Sequence, residues 1–149
     1  MEVREIPFGT PAFDEALHLR HLILRVPLGL TFRPADIEQE WDSTHLGIYR
    51  GQRLLGVLTM LPLNDRQVKM RQVAVTEELQ GKGIGSMLVR GSERWAAAAG
   101  FAEIVLHARE VAVPFYLRMG YERVGERFEE VNIPHFKMRK RLNASETAE

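Results

Sequence analysis

Gln80-Gly81-Lys82-Gly83-Ile84-Gly85 sets three glycines at alternate positions immediately before a stretch of helical periodicity. Glycine lets the backbone take positive φ and lets a ligand approach the main chain, and the first amides of a helix have no intrahelical acceptors. Together these make an anion cradle. A helix N-terminus carries about half a positive charge, and Lys82 adds a whole one beside it, which suits phosphate. The other reading of the hexapeptide, taken by itself, is a flexible strand-to-helix turn. Two nucleotide motifs do not fit. A Walker A loop needs glycine and Ser or Thr where Thr76 and Gly83 stand. The dinucleotide fingerprint needs glycine in place of Ser86 and an acid ending the next strand, whereas Glu103 begins it.

On one side of the loop, Val68–Val75 alternates like a strand. On the other, Ile84, Leu88, Gly91 and Trp95 recur at i, i+4, i+7 and i+11 up to a stop at Gly100. Glu103 to His107 is a nearly unbroken apolar run, suited to a strand buried on both faces and parallel to its neighbour. Strand, helix and strand form a βαβ unit. Upstream, Val3 to Ile6 reads as a strand, and Thr10-Pro11 as a helix start whose apolar face is Ala16, Leu19 and Ile23. Leu28 to Asp42 reads as a loop with at most a short helix over 35–41. His45–Tyr49 and Leu54–Met60 read as strands joined by a tight turn. Downstream come a short helix from Ala112 to Met119, stopped at Gly120, and strands around Tyr121–Val124 and Phe136–Leu142. The predicted order is β-α-β-β-β-α-β-α-β-β.

With 149 residues, 45% hydrophobic and 27% charged, the chain is expected to form one domain over 1–142 with a frayed tail at 143–149. Zero cysteines exclude a disulfide scaffold, a thiolate metal site and a cysteine nucleophile. Twenty basic residues balance twenty acidic ones, so no global field gathers nucleic acid or an anionic membrane. No apolar run approaches the roughly 20 residues of a membrane span. Charges in Met1-Glu2-Val3-Arg4-Glu5, where a signal peptide is apolar, lead us to expect a cytoplasmic location.

The loop resembles the Q/R-x-x-G-x-G/A signature of the GNAT superfamily of N-acetyltransferases, through Gln80, Gly83 and Gly85. Met70-Arg71-Gln72-Val73-Ala74-Val75 is similar to that family's fourth strand. Ala112-Val113-Pro114-Phe115-Tyr116-Leu117-Arg118-Met119-Gly120-Tyr121 is similar to its A-x-x-F-Y-x-x-x-G-F/Y segment. The resemblance covers about Gly47 to Leu142 and implies an α/β (α+β) fold. That fold is a mixed, mostly antiparallel sheet of six or seven strands, with helices on both faces. It also implies acetyl-CoA as co-substrate, an amine as acceptor, and direct attack with no covalent enzyme intermediate. By the family pattern the amides of Gly81, Lys82, Gly83, Ile84 and Gly85, with Gln80, hold the pyrophosphate. Main-chain groups of Val73 and Val75 pair with the pantetheine arm. Tyr116 is the general acid for the departing thiolate, and Arg109 stands where relatives carry a residue that contacts CoA. A bulge in the fourth strand would leave amides free to polarise the thioester carbonyl. The resemblance leaves a homodimer open.

Other readings stand beside these. Tyr116 also fits a packing aromatic, and Arg109 a solvated charge. The loop would equally serve a non-catalytic acyl-CoA sensor. Lys69 to Val75 contains no acid, so the base for the amine falls to Glu129, Glu130, His107, His135 or a water chain. Arg25 and Arg33, flanking Pro27-Leu28-Gly29-Leu30, suit an anionic acceptor. Asp36, Glu38, Glu40 and Asp42 suit a cationic one, or a solvated helix face. His18, His21 and His45 lack ligand spacing, so no metal is expected. Lys137 to Arg141 alternates as an amphipathic strand, which argues against nucleic acid.

Overall fold

The computed structural model describes residues 1–28 and 39–142. Its main elements are β1 (Glu2–Ile6), α1 (Pro11–Arg20), β2 (Thr44–Arg50), β3 (Arg53–Pro62), β4 (Gln67–Val75) and α2 (Ile84–Ala98). They continue through β5 (Glu103–Arg109), α3 (Val113–Arg118), β6 (Glu122–Glu130) and β7 (Ile133–Arg141). This is the predicted order. The seven strands form one sheet in the order β1-β2-β3-β4-β5-β7-β6. β1–β2, β2–β3, β5–β7 and β7–β6 are antiparallel, and β4–β5 is parallel across the α2 crossover.

The chain divides into two compact units, and both β4 and α2 run from one into the other. The first holds Met1–Leu61 and Arg71–Ser92. Here α1 starts as the sequence predicts: Thr10 Oγ1 accepts from the Phe13 amide at 3.3 Å, with proline next in line. Phe13, Ala16 and Leu19 of α1 pack with Ile6, Tyr49, Leu54, Val57 and Ala74. Val3, three residues before Ile6 and so on the opposite face of β1, abuts Gly91 of α2 closely enough that an added Cβ would lie 2.6 Å from it. The two helices therefore cover opposite faces.

The second unit holds Pro62–Met70 and the chain from Glu93 onward. Asn64 Oδ1 accepts from the amides of Arg66 and Gln67, which closes the turn into β4. β5 pairs with β4 over Glu103–Leu106 and with β7 along its whole length, so Ile104, Leu106 and Met138 are fully enclosed. The closing hairpin is longer than the sequence reading had it. β6 reaches Glu130 and β7 begins at Ile133, where 125–135 had been placed outside the strands. Val131 and Asn132 take φ of 47° and 62°, a two-residue turn of the left-handed kind. A valine is a poor signal for such a turn, because its branched Cβ resists positive φ. A bulge at Gly125 realigns β6 between Val124 and Phe128.

The predicted helix over 35–41 falls mostly outside the described residues, of which only a 3₁₀ turn at Gln39–Asp42 belongs to it. The tail at 143–149 lies outside them too.

Candidate active site

In the loop before α2, Gly81 and Gly83 hold φ of 79° and 83°. Only glycine takes that conformation cheaply, and a Cβ at either position would meet nothing within 4 Å. The first helical bond runs from the Met87 amide to the Gly83 carbonyl, and the Lys82 amide is turned back to Leu79 O at 3.3 Å. Among the described residues no main-chain carbonyl accepts from the amides of Gly81, Gly83, Ile84 or Gly85. These donors open an exposed loop at the start of a fifteen-residue helix, the arrangement that binds phosphate. Lys82 is exposed beside them. Gln80 does something different from its neighbours: its side-chain nitrogen donates to the Val75 carbonyl at 3.0 Å and ties the loop to the end of β4.

β4 pairs with β5 only from Gln67 to Met70. Two residues further on, Gln72 sits at φ 59°, left-handed and not glycine. One left-handed residue inside a strand is how a kink of the bulge type is made. Over Arg71–Val75, which includes Val73 and Val75, the edge that faced β5 has no further ladder partner among the described residues.

Tyr116 lies on α3 with 7% of its surface exposed, its ring edge-on to Phe115 and Tyr121. The helix is closed by Gly120 at φ 92°, with the Tyr121 amide on Tyr116 O and the Gly120 amide on Leu117 O. This cap pins the backbone of Tyr116. Burial pushes its hydroxyl up to about 12, and no described side chain hydrogen-bonds it. Tyr121 contrasts with it. Its hydroxyl donates to Glu93 at 2.9 Å, while Lys140 bonds the other Glu93 oxygen and Met119 O. Burial and the Glu93 carboxylate hold the Tyr121 hydroxyl far above its ordinary value. Of these two tyrosines, Tyr116 has a hydroxyl without a hydrogen-bond partner among the described residues, and Tyr121 does not.

The four acid–base candidates separate. Strand alternation puts Lys69, His107, Arg109, His135 and Lys137 on one face. Lys69 Nζ lies 3.4 Å from His107 Nδ1, and Glu130 Oε1 lies 3.3 Å from the same nitrogen. The other Glu130 oxygen is 3.5 Å from His135 Nε2, whose Nδ1 donates to Ile133 O at 2.7 Å. Phe128 packs its ring against both histidines. Glu129 makes no contact in this group. Burial first, then the Lys69 charge, lowers the His107 imidazole, against a smaller upward pull from Glu130. Arg109 ends β5 half-buried on the same face, opposite His135.

One ion pair carries no signal in the sequence. Glu40 belongs to no solvated run: it is buried and paired in two-pronged fashion with Arg20, at 2.7 and 2.8 Å. His45 bridges Thr59 and Glu40 O behind it. Arg20, at the end of an amphipathic helix, by itself reads as solvated. Arg25 is half-buried, and Arg33, Asp36 and Glu38 lie outside the described residues. Among the described residues no cluster of three metal-binding side chains exists. No described helix is long and apolar enough to cross a membrane.

Residues 32–142 match the acetyltransferase (GNAT) domain. The chain belongs to the GNAT acetyltransferase family. This GNAT chain is 31% identical over 104 residues to the uncharacterized N-acetyltransferase YjcF of Bacillus subtilis, covering 69% of this chain and 74% of that one. It spans about half or less of several rat N-acetyltransferases that it also matches. The fold agrees with an aminoglycoside 6'-N-acetyltransferase complexed with coenzyme A, at a TM-score of 0.81 and 18% identity over 96% of this chain and 98% of that one. It agrees also with a GNAT family acetyltransferase from Elizabethkingia anophelis with acetyl-CoA bound, at 0.73 and 16% identity over 95% and 97%. Family membership makes the chain an acetyltransferase, and the similar proteins are N-acetyltransferases.

Proposed function

We propose that this GNAT domain, reading 1–142 as one catalytic domain, transfers the acetyl group of acetyl-CoA directly to a primary amine. The observation that carries the reading is the set of amides at Gly81, Gly83, Ile84 and Gly85 without main-chain acceptors among the described residues, at the N-terminus of α2. They suit a pyrophosphate, and Lys82 adds charge. Lys82's own amide, bonded to Leu79, is left out of the cradle, and Gln80 acts by holding the loop to Val75. Main-chain groups of Val73 and Val75, past the point where the β5 ladder ends, pair with the amide-bearing arm of the cofactor like an added strand. Arg109, a guanidinium on the polar face of β5, meets a phosphate or the acceptor.

Bound acetyl-CoA supplies an activated acyl group. Tyr116 presents its hydroxyl to the sulfur as the carbon–sulfur bond breaks, and stabilises the charge gathering there. No metal is required. The reading carries a cytoplasmic location with it, since a highly charged thioester does not cross membranes unaided.

Calorimetry with CoA, ATP and NAD tests the cradle: CoA is expected to bind and the other two are not. Thiol release from acetyl-CoA is then followed with glutamate, spermidine and a lysine-containing peptide as acceptors. Affinity for ATP or NAD in place of CoA would refute the reading, as would CoA binding without turnover of any acceptor.

A further inference from the structure

An alkylammonium acceptor with a pKa near ~10.4 is protonated at neutral pH and must lose a proton before its nitrogen can attack. β4 offers no carboxylate for this: between Gln67 and Val75 the ionisable side chains are Lys69 and Arg71. His107 stands one residue beyond the last rung of the β4–β5 ladder, Met70 to Leu106, where the two strands part. Its side chain is 29% exposed, enough for an acceptor to reach it. Its Nδ1 is engaged by Glu130 and Lys69, and no described residue hydrogen-bonds Nε2.

We infer that His107 is the general base of the transfer, with Glu130 and Lys69 as positioning residues that select which ring nitrogen carries the proton. The inference rests on the acetyl-transfer reading above. When Nδ1–H donates to Glu130 Oε1, Nε2 has its lone pair free. As the amine nitrogen bonds to the acyl carbon and the carbon–sulfur bond breaks, Nε2 takes the amine proton. The imidazolium formed is held by the Glu130 carboxylate. Lys69 competes: an ammonium that donates to Nδ1 forces the proton onto Nε2 and silences it. Around the ring stand Lys69 from β4, Lys137 from β7 directly opposite, Glu130 from β6, and Arg109 two residues along β5. Phe128 closes one side. Burial first, then the Lys69 charge and more weakly Lys137, lower the imidazole against the upward pull of Glu130, toward the neutral form that a base needs.

The test uses the full chain with acetyl-CoA and the fastest acceptor of the panel above. His107→Gln is expected to lower kcat at least about 100-fold, with CoA affinity by calorimetry unchanged. Two variants that keep His107 supply a readout that mere packing would not move. Glu130→Gln should carry the acid limb of the rate profile to lower pH and reduce kcat. Lys69→Met should carry the limb to higher pH. A His107→Gln enzyme with wild-type rate and acid limb would overturn the base while leaving acetyl transfer standing, as would limbs that stay put in both neighbours' variants. Wild type that acetylates no acceptor would overturn both.

Discussion

Tyr116→Phe removes one oxygen from a side chain whose hydroxyl has no hydrogen-bond partner among the described residues, and that isolates the chemical role proposed for it. Burial holds the phenol at about 12, against ~8.5 for an ordinary thiol, a gap of about 3.5 pH units or roughly 5 kcal/mol at 1.36 each. Full proton transfer to the departing thiolate is uphill by that amount, so the role proposed for Tyr116 is that of a hydrogen-bond donor to developing charge. A hydrogen bond to a charged acceptor contributes about 1.5–3 kcal/mol, or roughly a 10- to 150-fold loss of kcat when removed. The KM for acetyl-CoA should change far less, because the bond forms mainly in the transition state. The pH consequence has a definite sign: a donor must keep its proton, and a phenol at about 12 keeps it throughout pH 6–10. Tyr116 should therefore impose no alkaline limb in that range. Urea unfolding should place the variant within about 1 kcal/mol of wild type, since no buried partner is orphaned. Steady-state kinetics from pH 6 to 10 on both proteins check this. An alkaline limb in wild type that vanishes in Tyr116→Phe would refute the argument from burial, and an unchanged kcat would reduce Tyr116 to packing.

Tyr121→Phe should behave in the opposite way: it strips the donor from Glu93 and should cost about 1–3 kcal/mol in urea unfolding, with kcat within a few-fold of wild type. Gly83→Asp puts a side chain at φ 83° and a negative charge in the cradle. CoA affinity by calorimetry should fall at least about 10-fold while the fold persists, because the Cβ meets open space. Glu40→Ala leaves the Arg20 guanidinium buried without its carboxylate, an expected loss of about 3–5 kcal/mol, read from the denaturation midpoint.

What the sequence determined by itself was whatever neighbouring residues encode. Alternate glycines, a period change from two to 3.6 and back, the Thr10-Pro11 start and the Gly100 and Gly120 stops gave the element order and the cradle, because backbone preference and amphipathic spacing act over a few residues. Gln72 carries no such signal. A left-handed glutamine is held by the strands around it, so the positive φ inside β4 belongs to the tertiary structure, as does the turn at Val131 and Asn132. The polar cluster is a stronger case. Lys69, His107, Glu130 and His135 sit on four strands and meet only through a parallel β4–β5 register, an antiparallel β5–β7 register and a hairpin whose connection is just Val131 and Asn132. By position alone His107, Glu130 and His135 are candidate bases and Lys69 is not singled out, and nothing in the sequence says that the four meet. Arg20 and Glu40 find each other in the same way, across a segment whose local pattern says nothing of the pairing. Side-chain chemistry is written in the chain one residue at a time, but proton affinity and tautomer depend on neighbours within about 4 Å, and only folding chooses those.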